Sequence, residues 1–289
     1  MDRLGLYTNR ISDGWLAESL ASKEIDVVLI SESKSMLRNI EEQIEKILDK
    51  KIDKWLITEA EKKLILSHII FQNQTAVIDR LGLFVDAANG SAAERKARIK
   101  QLDQLLPPST IIGVHAPACS ISELQEVEHN PKRIVGLHFI RGGMEVIPGE
   151  KTCTHTLRAI ADLAEQLKIV LINEKESPGN VVQRLELTFL NEAFDIISEG
   201  VTGPHELDRL IKARFNIKNG PFEAADRIGL DVILNELDEL YKVTKHKKFL
   251  ASTYLRTLVA EGRTGVQAGE GIFKYSSEEQ PITDEQGVI

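Results

Sequence analysis

Between residues 3 and 174 the chain alternates short apolar runs with segments of helical period, and that alternation leaves few architectures open. Parallel strands need long crossovers, and the intervals between the apolar runs are long enough to hold a helix. "RLGLYT" (3–8) and "IDVVLIS" (25–31) predict strands, with "SDGWLAESLAS" as the helix between them. A further helix is expected around Met36, Leu37, Ile40, Ile44, Ile47 and Leu48, which fall on one stripe. Another opens at Thr58, which can cap it while Glu61 reaches back, and Ser120 with Glu123 repeats that capping pattern. "LGLFVDAA" (81–88), "STIIGVHA" (109–116) and "KIVLINE" read as strands. "KRIVGLHFI" and "MEVIPG" read as a pair of strands, followed by a helix at 154–167.

From Ser177 the texture changes. Helical patterns take over at 181–199, 204–215, 222–241 and 247–261, punctuated by Gly200, Pro204 and Gly262, with no strand alternation between them. The reading is an α/β domain over 1–177, an all-helical domain over 178–275, and a polar, acidic tail over 276–289.

A net charge of -8 argues against a nucleic-acid partner, whose phosphates call for a basic surface. No apolar run approaches the roughly 20 residues of a membrane span, and "MDRLGLYTNR" is not a signal peptide. Cys119 and Cys153 form neither a disulfide framework nor a metal pattern, so a reducing, cytoplasmic setting is expected. The seven histidines include no H-E-x-x-H and no Cys/His cluster, so no metal is expected.

Four segments are specific: "RIVGLHF", "SPGNVVQRLELTFLNEA", "NGPFEAADRIGLDVILNELDELY" and "EGRTGVQAGEGIFKY". In order and spacing, over about residues 110 to 275, they resemble the 3-hydroxyacyl-CoA dehydrogenase family. The resemblance implies a Rossmann-type NAD-binding domain followed by a helical domain that dimerises and closes an acyl-CoA cleft. It implies that His138 matches the general base that takes the hydroxyl proton, that Glu145 matches the carboxylate orienting it, and that Gln183 stands where the family has Asn. The partners it implies are an acyl-CoA-type ligand and a second subunit, either a homodimer or a heterodimer with a homologue, through 178–275.

Against that pattern the cofactor positions depart. In "LYTNRISDGWLAE" the three glycine positions of the phosphate loop hold Thr8, Arg10 and Asp13. Arg10 is either an alternative phosphate clamp or part of a loop that no longer takes a dinucleotide. The second reading is preferred, because Asp13 brings negative charge to a helix start. The second strand ends in Ser31, not an acid, and Glu32 can replace the ribose ligand only if the strand has already ended. "DAANGS" keeps Asp86 but has Gly90 at the family's second acidic position. In "GVHAPACSISEL", His115 stands for an Asn and Pro117 for the substrate-contacting Ser. His115 reads either as a replacement acid/base or as a polar strand-end residue.

The His138–Glu145 hairpin is shorter than the family's. A Gly142-Gly143 turn would face His138 with Ile147 and put Glu145 on the same face, diagonal to it. A three-residue turn, Arg141 to Gly143, would send the two to opposite faces. Phe222, Ala225, Ile228 and Val232 predict one apolar helix face: core, dimer interface or cleft wall. "GRTGVQAGEGIFKY" should be a glycine-punctuated turn whose extended end docks back on the body. The functional expectation is a family member with lost or impaired NAD-dependent activity. The alternatives are an active dehydrogenase with an altered cofactor loop, or a non-catalytic partner of an active homologue.

Overall fold

Each strand expected from an apolar run forms, and a short edge strand joins them. The computed structural model describes residues 1–73, 80–115, 120–127, 129–140 and 142–275. Pro117, Cys119, Arg141 and the 276–289 tail lie outside the described residues. Chain contacts divide the molecule into two units, Met1–Ser177 and Pro178–Ile289.

The first unit carries β1 (Arg3–Tyr7), β2 (Asp26–Ile30), β3 (Ile69–Gln72), β4 (Leu83–Asp86), β5 (Ile111–Val114), β6 (Ile134–Ile140), β7 (Gly143–Pro148) and β8 (Val170–Asn173). They form one sheet in the order β3-β2-β1-β4-β5-β6-β7-β8. All neighbours are parallel except β6 and β7. The first six strands have the doubly wound order of a dinucleotide fold, whose ligands lie beyond the carboxyl ends of the strands. β3 is the unexpected strand: "IIFQ" is four residues long and leaves Ile70 45% exposed at the sheet edge, too short a run to show a period.

Crossover helices α1 (Gly14–Ala21), α2 (Lys34–Asp53), α3 (Glu59–Ser67), α4 (Ala92–Leu105), α5 (Ile121–Leu124) and α6 (Thr154–Leu167) complete the unit. Their starts follow side-chain chemistry. Thr58 with Glu61, and Ser91 with Glu94, form complete capping boxes, while Ser33 accepts from the Met36 amide. The expected box at Ser120 is half built. Ser120 accepts from the Glu123 amide, but its hydroxyl donates to Glu176 and Glu123 makes no return bond among the described residues.

Side chains alternate across the sheet with period two. Leu4, Leu6, Val27, Leu29, Leu83, Val85, Val135 and Leu137 share one buried cluster with Leu16, Ile40, Ile44 and Ile160 from α1, α2 and α6. Tyr7, Val28, Ile30, Phe84, Ile112 and Ile134 share the other with Ile99 and Leu102 of α4 and Ile121 of α5. Each such side chain, fully buried, stabilises by about 1.5–3 kcal/mol. His138 and Glu145 have the parity of the second face, where Ile147 also packs. A buried pair anchors the start of β6: Arg133 Nη2 donates to Asp103 Oδ1 at 3.0 Å and to the Asp103 carbonyl at 2.8 Å.

The second unit consists of α7 (Val181–Ser198), α8 (Pro204–Phe215), α9 (Pro221–Ile228), α10 (Leu230–Thr244) and α11 (Thr253–Ala260) around Phe194, Phe222, Leu237 and Leu255. The single helix expected at 222–241 is two. Gly229 has φ +105°, outside the helical region, and breaks it. Phe222 and Ala225 are therefore buried, whereas Ile228 and Val232, at 38% and 37% exposure, do not continue their face. The helix expected at 247–261 likewise begins as a 3-10 turn over Lys247–Phe249. The C-terminal segment docks back as expected. Asp226 accepts from the amides of Ile272 and Phe273, each at 2.9 Å, and from the Tyr275 hydroxyl.

Candidate active site

The β6–β7 hairpin follows neither reading of its sequence: its turn is one residue earlier than Gly142-Gly143 and one residue shorter than Arg141 to Gly143. Ile140 pairs with Gly143, which leaves only Arg141 and Gly142 between the strands and sets His138 directly opposite Glu145. Gly143 is drawn into the ladder because β7 pairs on its other side with β8, where Gly143 lies against Val170. The left-handed conformation falls on Gly142, at φ +80°. Opposed residues of an antiparallel pair share a face, and His138 Nδ1 lies 2.6 Å from Glu145 Oε2. A carboxylate only accepts, so Nδ1 carries the hydrogen and Nε2 carries the lone pair. Glu145 is fully buried. Burial pushes the His138 imidazole down to about 4, with the Arg10 guanidinium acting the same way and Glu174 opposing it.

His115 stands beside this pair, just past the end of β5. Its amide donates to the Asp86 carbonyl at 2.9 Å, and its Nδ1 lies 3.3 Å from the Leu137 carbonyl. Its ring faces that of His138 with centroids 4.6 Å apart and planes at 40°. Burial holds its imidazole well below the ordinary range, and His138, Arg10 and Arg95 push the same way. These influences favour the neutral imidazole, and the hydrogen bond to the Leu137 carbonyl opposes them.

At the end of β1 the three residues in the glycine positions bind one another. Thr8, fully buried, donates through Oγ1 to Asp13 Oδ2 and accepts from the Arg10 amide at 3.0 Å. Arg10 returns to Asp13 with Nε at 3.0 Å from Oδ2 and Nη2 at 2.8 Å from Oδ1. Asp13 precedes α1 and is 6% exposed. An internal carboxylate thus lies at a helix start, a natural place for an anion, and holds the cation of the loop. The loop is further tied to the β4 end, where Asn9 Oδ1 accepts from the Asn89 amide at 2.8 Å.

β2 ends at Ile30, so Ser31 and Glu32 both lie beyond the strand. Ser31 is buried and its amide donates to Gln72, while Glu32 accepts from the Tyr7 hydroxyl at 2.9 Å. Burial and Glu32 push the Tyr7 hydroxyl up to about 12. Asp86 is fully buried at the end of β4, where Arg98 Nε donates to it at 3.2 Å. Burial pushes the Asp86 carboxyl up and Arg98 opposes the shift.

A doubly wound sheet, a His–Glu dyad on its sixth and seventh strands and a helical second unit are one combination, and comparison with known proteins identifies it. The NAD binding domain of 3-hydroxyacyl-CoA dehydrogenase matches residues 11–177, and the C-terminal domain of 3-hydroxyacyl-CoA dehydrogenase matches 179–275. The chain belongs to the 3-hydroxyacyl-CoA dehydrogenase family. A Deinococcus radiodurans relative, "Probable 3-hydroxybutyryl-CoA dehydrogenase", is 30% identical over 91% of this chain and 96% of its own. A 3-hydroxybutyryl-CoA dehydrogenase of Clostridioides difficile is 28% identical over 90% of this chain and 95% of its own. The crystal structure of an (S)-3-hydroxybutyryl-CoA dehydrogenase from Ralstonia eutropha is similar, with a TM-score of 0.84 at 28% identity. It covers 96% of this chain and 100% of that one.

Within the family frame, the glycine positions at the β1 end hold Thr8, Arg10 and Asp13, whose side chains bind one another. The match to the NAD binding domain begins at residue 11, past Thr8 and Arg10. Gln183 belongs to the second unit. Its amide donates to the α7 cap Asn180 at 2.7 Å, and its Oε1 is buried with no hydrogen-bond partner among the described residues. Two features escaped sequence reading: the Asn9–Asn89 tie and the Arg98–Asp86 pair. The second had a signal, since Arg95 and Arg98 sit three apart on the helix that follows an acid-ended strand. Among the described residues no group of three His, Cys, Asp or Glu side chains could hold a metal ion, and no helix is long and apolar enough to cross a membrane.

Proposed function

We propose that this chain binds 3-hydroxyacyl thioesters and keeps the proton-handling His138–Glu145 dyad, but has lost or greatly weakened NAD-dependent turnover. The observation that carries the reading is the mutual binding of Thr8, Arg10 and Asp13 in the place of the phosphate-loop glycines. A diphosphate would have to break the Arg10–Asp13 pair and still meet Asp13. Neither Ser31 nor a Glu32 engaged with Tyr7 offers the ordinary ribose contact in compensation. A second reading, an active dehydrogenase in which Arg10 turns from Asp13 to a phosphate, is favoured by the dyad itself. A 2.6 Å His–carboxylate contact has survived in a shortened hairpin.

The test is to titrate NADH calorimetrically and against the fluorescence of Trp15, the second residue of α1, and to assay acetoacetyl-CoA reduction. Absent or millimolar NADH binding without turnover supports the proposal; micromolar binding with turnover overturns it in favour of the second reading. Association through 178–275, as a homodimer or with an active homologue, belongs to the same proposal. It is supported by Val181, Leu185 and Phe189, four apart on α7 and 52%, 68% and 42% exposed. Light scattering of the purified chain, alone and mixed with an active homologue, tests it. A cytoplasmic setting is also part of the reading, supported by the free thiol of Cys153.

A further inference from the structure

The chain contains two Asn-Gly pairs, Asn89-Gly90 and Asn219-Gly220, and the fold treats them differently. Asn89 and Gly90 are exposed in the turn that leads from β4 to α4. Asn9 holds the backbone of Asn89 at two points. Its Oδ1 accepts from the Asn89 amide at 2.8 Å, and its Nδ2 donates to the Asn89 carbonyl at 3.3 Å. Ser91 is fixed as well, donating to Glu94 through its amide at 2.7 Å and its hydroxyl at 2.9 Å. Between these anchors, the Asn89 side chain and the Gly90 amide make no hydrogen bond among the described residues. Gly90 has no side chain to shield its nitrogen. The donor on the Asn89 carbonyl favours loss of the Gly90 proton, because the charge left behind is shared with that oxygen. Asn219-Gly220 is the opposite case. Gly220 is buried, and a Cβ there would lie 2.3 Å from the Asp208 carboxyl carbon, so its peptide is wedged. Asp208 also accepts from the Phe222 and Glu223 amides, which fixes the start of α9.

We propose that Asn89 is a self-modification site: in the folded protein it loses ammonia and becomes isoaspartate or aspartate, while Asn219 is protected. The Gly90 nitrogen gives up its proton and bonds to Asn89 Cγ; the Cγ–Nδ2 bond breaks, and ammonia leaves with that proton. Water then opens the resulting cyclic imide at one of its two carbonyls. Opening at Cγ gives aspartate. Opening at the backbone carbonyl gives isoaspartate, whose main chain runs through Cβ and is one methylene longer, and whose former carbonyl is a free carboxylate. The new charge arrives among Asp86, Glu94, Arg95 and Arg98, the groups that face this turn from β4 and α4. The longer chain no longer matches the spacing between the Asn9 contacts and the Ser91 cap, so the tie between the β1 loop and the β4 end is released. The inference is independent of the acyl-thioester reading and of the cofactor.

The experiment is to incubate the full chain, folded and in urea, and to follow both pairs by peptide mass mapping and by an isoaspartate-specific methyltransferase. In urea the two pairs should react within about threefold of each other, because only the fold distinguishes them. In the folded protein Asn89 should react about tenfold or more faster than Asn219, and about tenfold faster for each unit rise in pH. Gly90→Ala places a Cβ against the flexible ends of Arg98 and Glu94, and should slow the reaction about tenfold with the melting temperature kept. Hydrogen exchange over residues 87–95 should quicken about tenfold in the isoaspartate fraction. It should stay unchanged in Asn89→Asp, which has the charge without the extra methylene. Equal rates at the two pairs in the folded protein, a product without isoaspartate, or an unslowed Gly90→Ala overturns the inference. Quickened exchange in Asn89→Asp assigns the release to charge and overturns the chain-length step.

Discussion

Asp13→Asn separates charge from shape at the closed phosphate loop. An asparagine has almost the same outline, and its carbonyl oxygen can still accept from Thr8 and Arg10. What disappears is the negative charge that Arg10 meets at 2.8 and 3.0 Å. An anion against the first turn of α1 would lie about 4 Å from that charge, where two unit charges repel by about 4 kcal/mol at an effective dielectric constant near 20. Salt screening and the partial exposure of Arg10, 29% at its side chain, reduce the net effect to about 2 kcal/mol, or about thirtyfold in Kd. NADH and ADP-ribose affinities measured by calorimetry at fixed salt should both rise by about that factor, since the diphosphate is common to them. The triple change Thr8→Gly, Arg10→Gly, Asp13→Gly, which also removes the side-chain volume, should raise them further. A wild type that binds NADH at micromolar Kd would refute the reasoning. So would an Asp13→Asn affinity within about threefold of wild type when the melting temperature shows an intact fold.

Three other outcomes follow from the packing and the titrations. The unfolded His138 imidazole titrates near 6.5 and the folded one near 4, so the unfolded state binds more protons between those values. Stability should therefore be fully present above about pH 6.5 and fall by up to about 3 kcal/mol as pH drops toward 4, a slope that urea melts should find reduced in His138→Gln. Asp103→Ala leaves the buried Arg133 without its carboxylate and should cost about 3–5 kcal/mol in denaturant melts, whereas a loss under about 1 kcal/mol would contradict the burial. Gly265 has φ +116°, and a Cβ there would lie 2.2 Å from the Asp226 carbonyl oxygen. Gly265→Ala should therefore destabilise by about 2 kcal/mol or more and speed proteolysis of the 265–275 segment.

Most of the architecture was legible because the sheet is buried on both faces. "IDVVLIS" and "LGLFVDAA" are runs that only an interior strand explains, and Thr58 marks a helix start chemically. The failures have local causes. Gly229 sits inside a continuous helical pattern, and nothing in the pattern says that its φ is positive. The hairpin register was mistaken because turn chemistry was weighed alone: two glycines favour a turn centred on both, but β8 captures the second of them. Register in a central strand belongs to both its neighbours, and one of those neighbours was 27 residues away in sequence, as the Gly143–Val170 pair shows. The candidate pair, His138 and Glu145, was nameable from the family resemblance. Their contact was not, because it depended on that register.

The departures at the phosphate loop are best understood as one change. Thr8, Arg10 and Asp13 satisfy one another, so removing any one leaves a buried hydroxyl, a guanidinium or a carboxylate poorly matched. Arg10 also reaches beyond the loop electrostatically, pushing both His115 and His138 toward their neutral forms. The Arg10 cation is thus, after burial, one of the groups that hold the two imidazoles in their neutral forms. Reopening the loop with the triple glycine variant should consequently do two things. It should raise NADH affinity, and it should lift the His138 titration from about 4 toward the ordinary imidazole value, read by NMR on the same sample. If affinity rises while the titration stays fixed, burial alone sets the basicity of the dyad and the two halves of the site are independent.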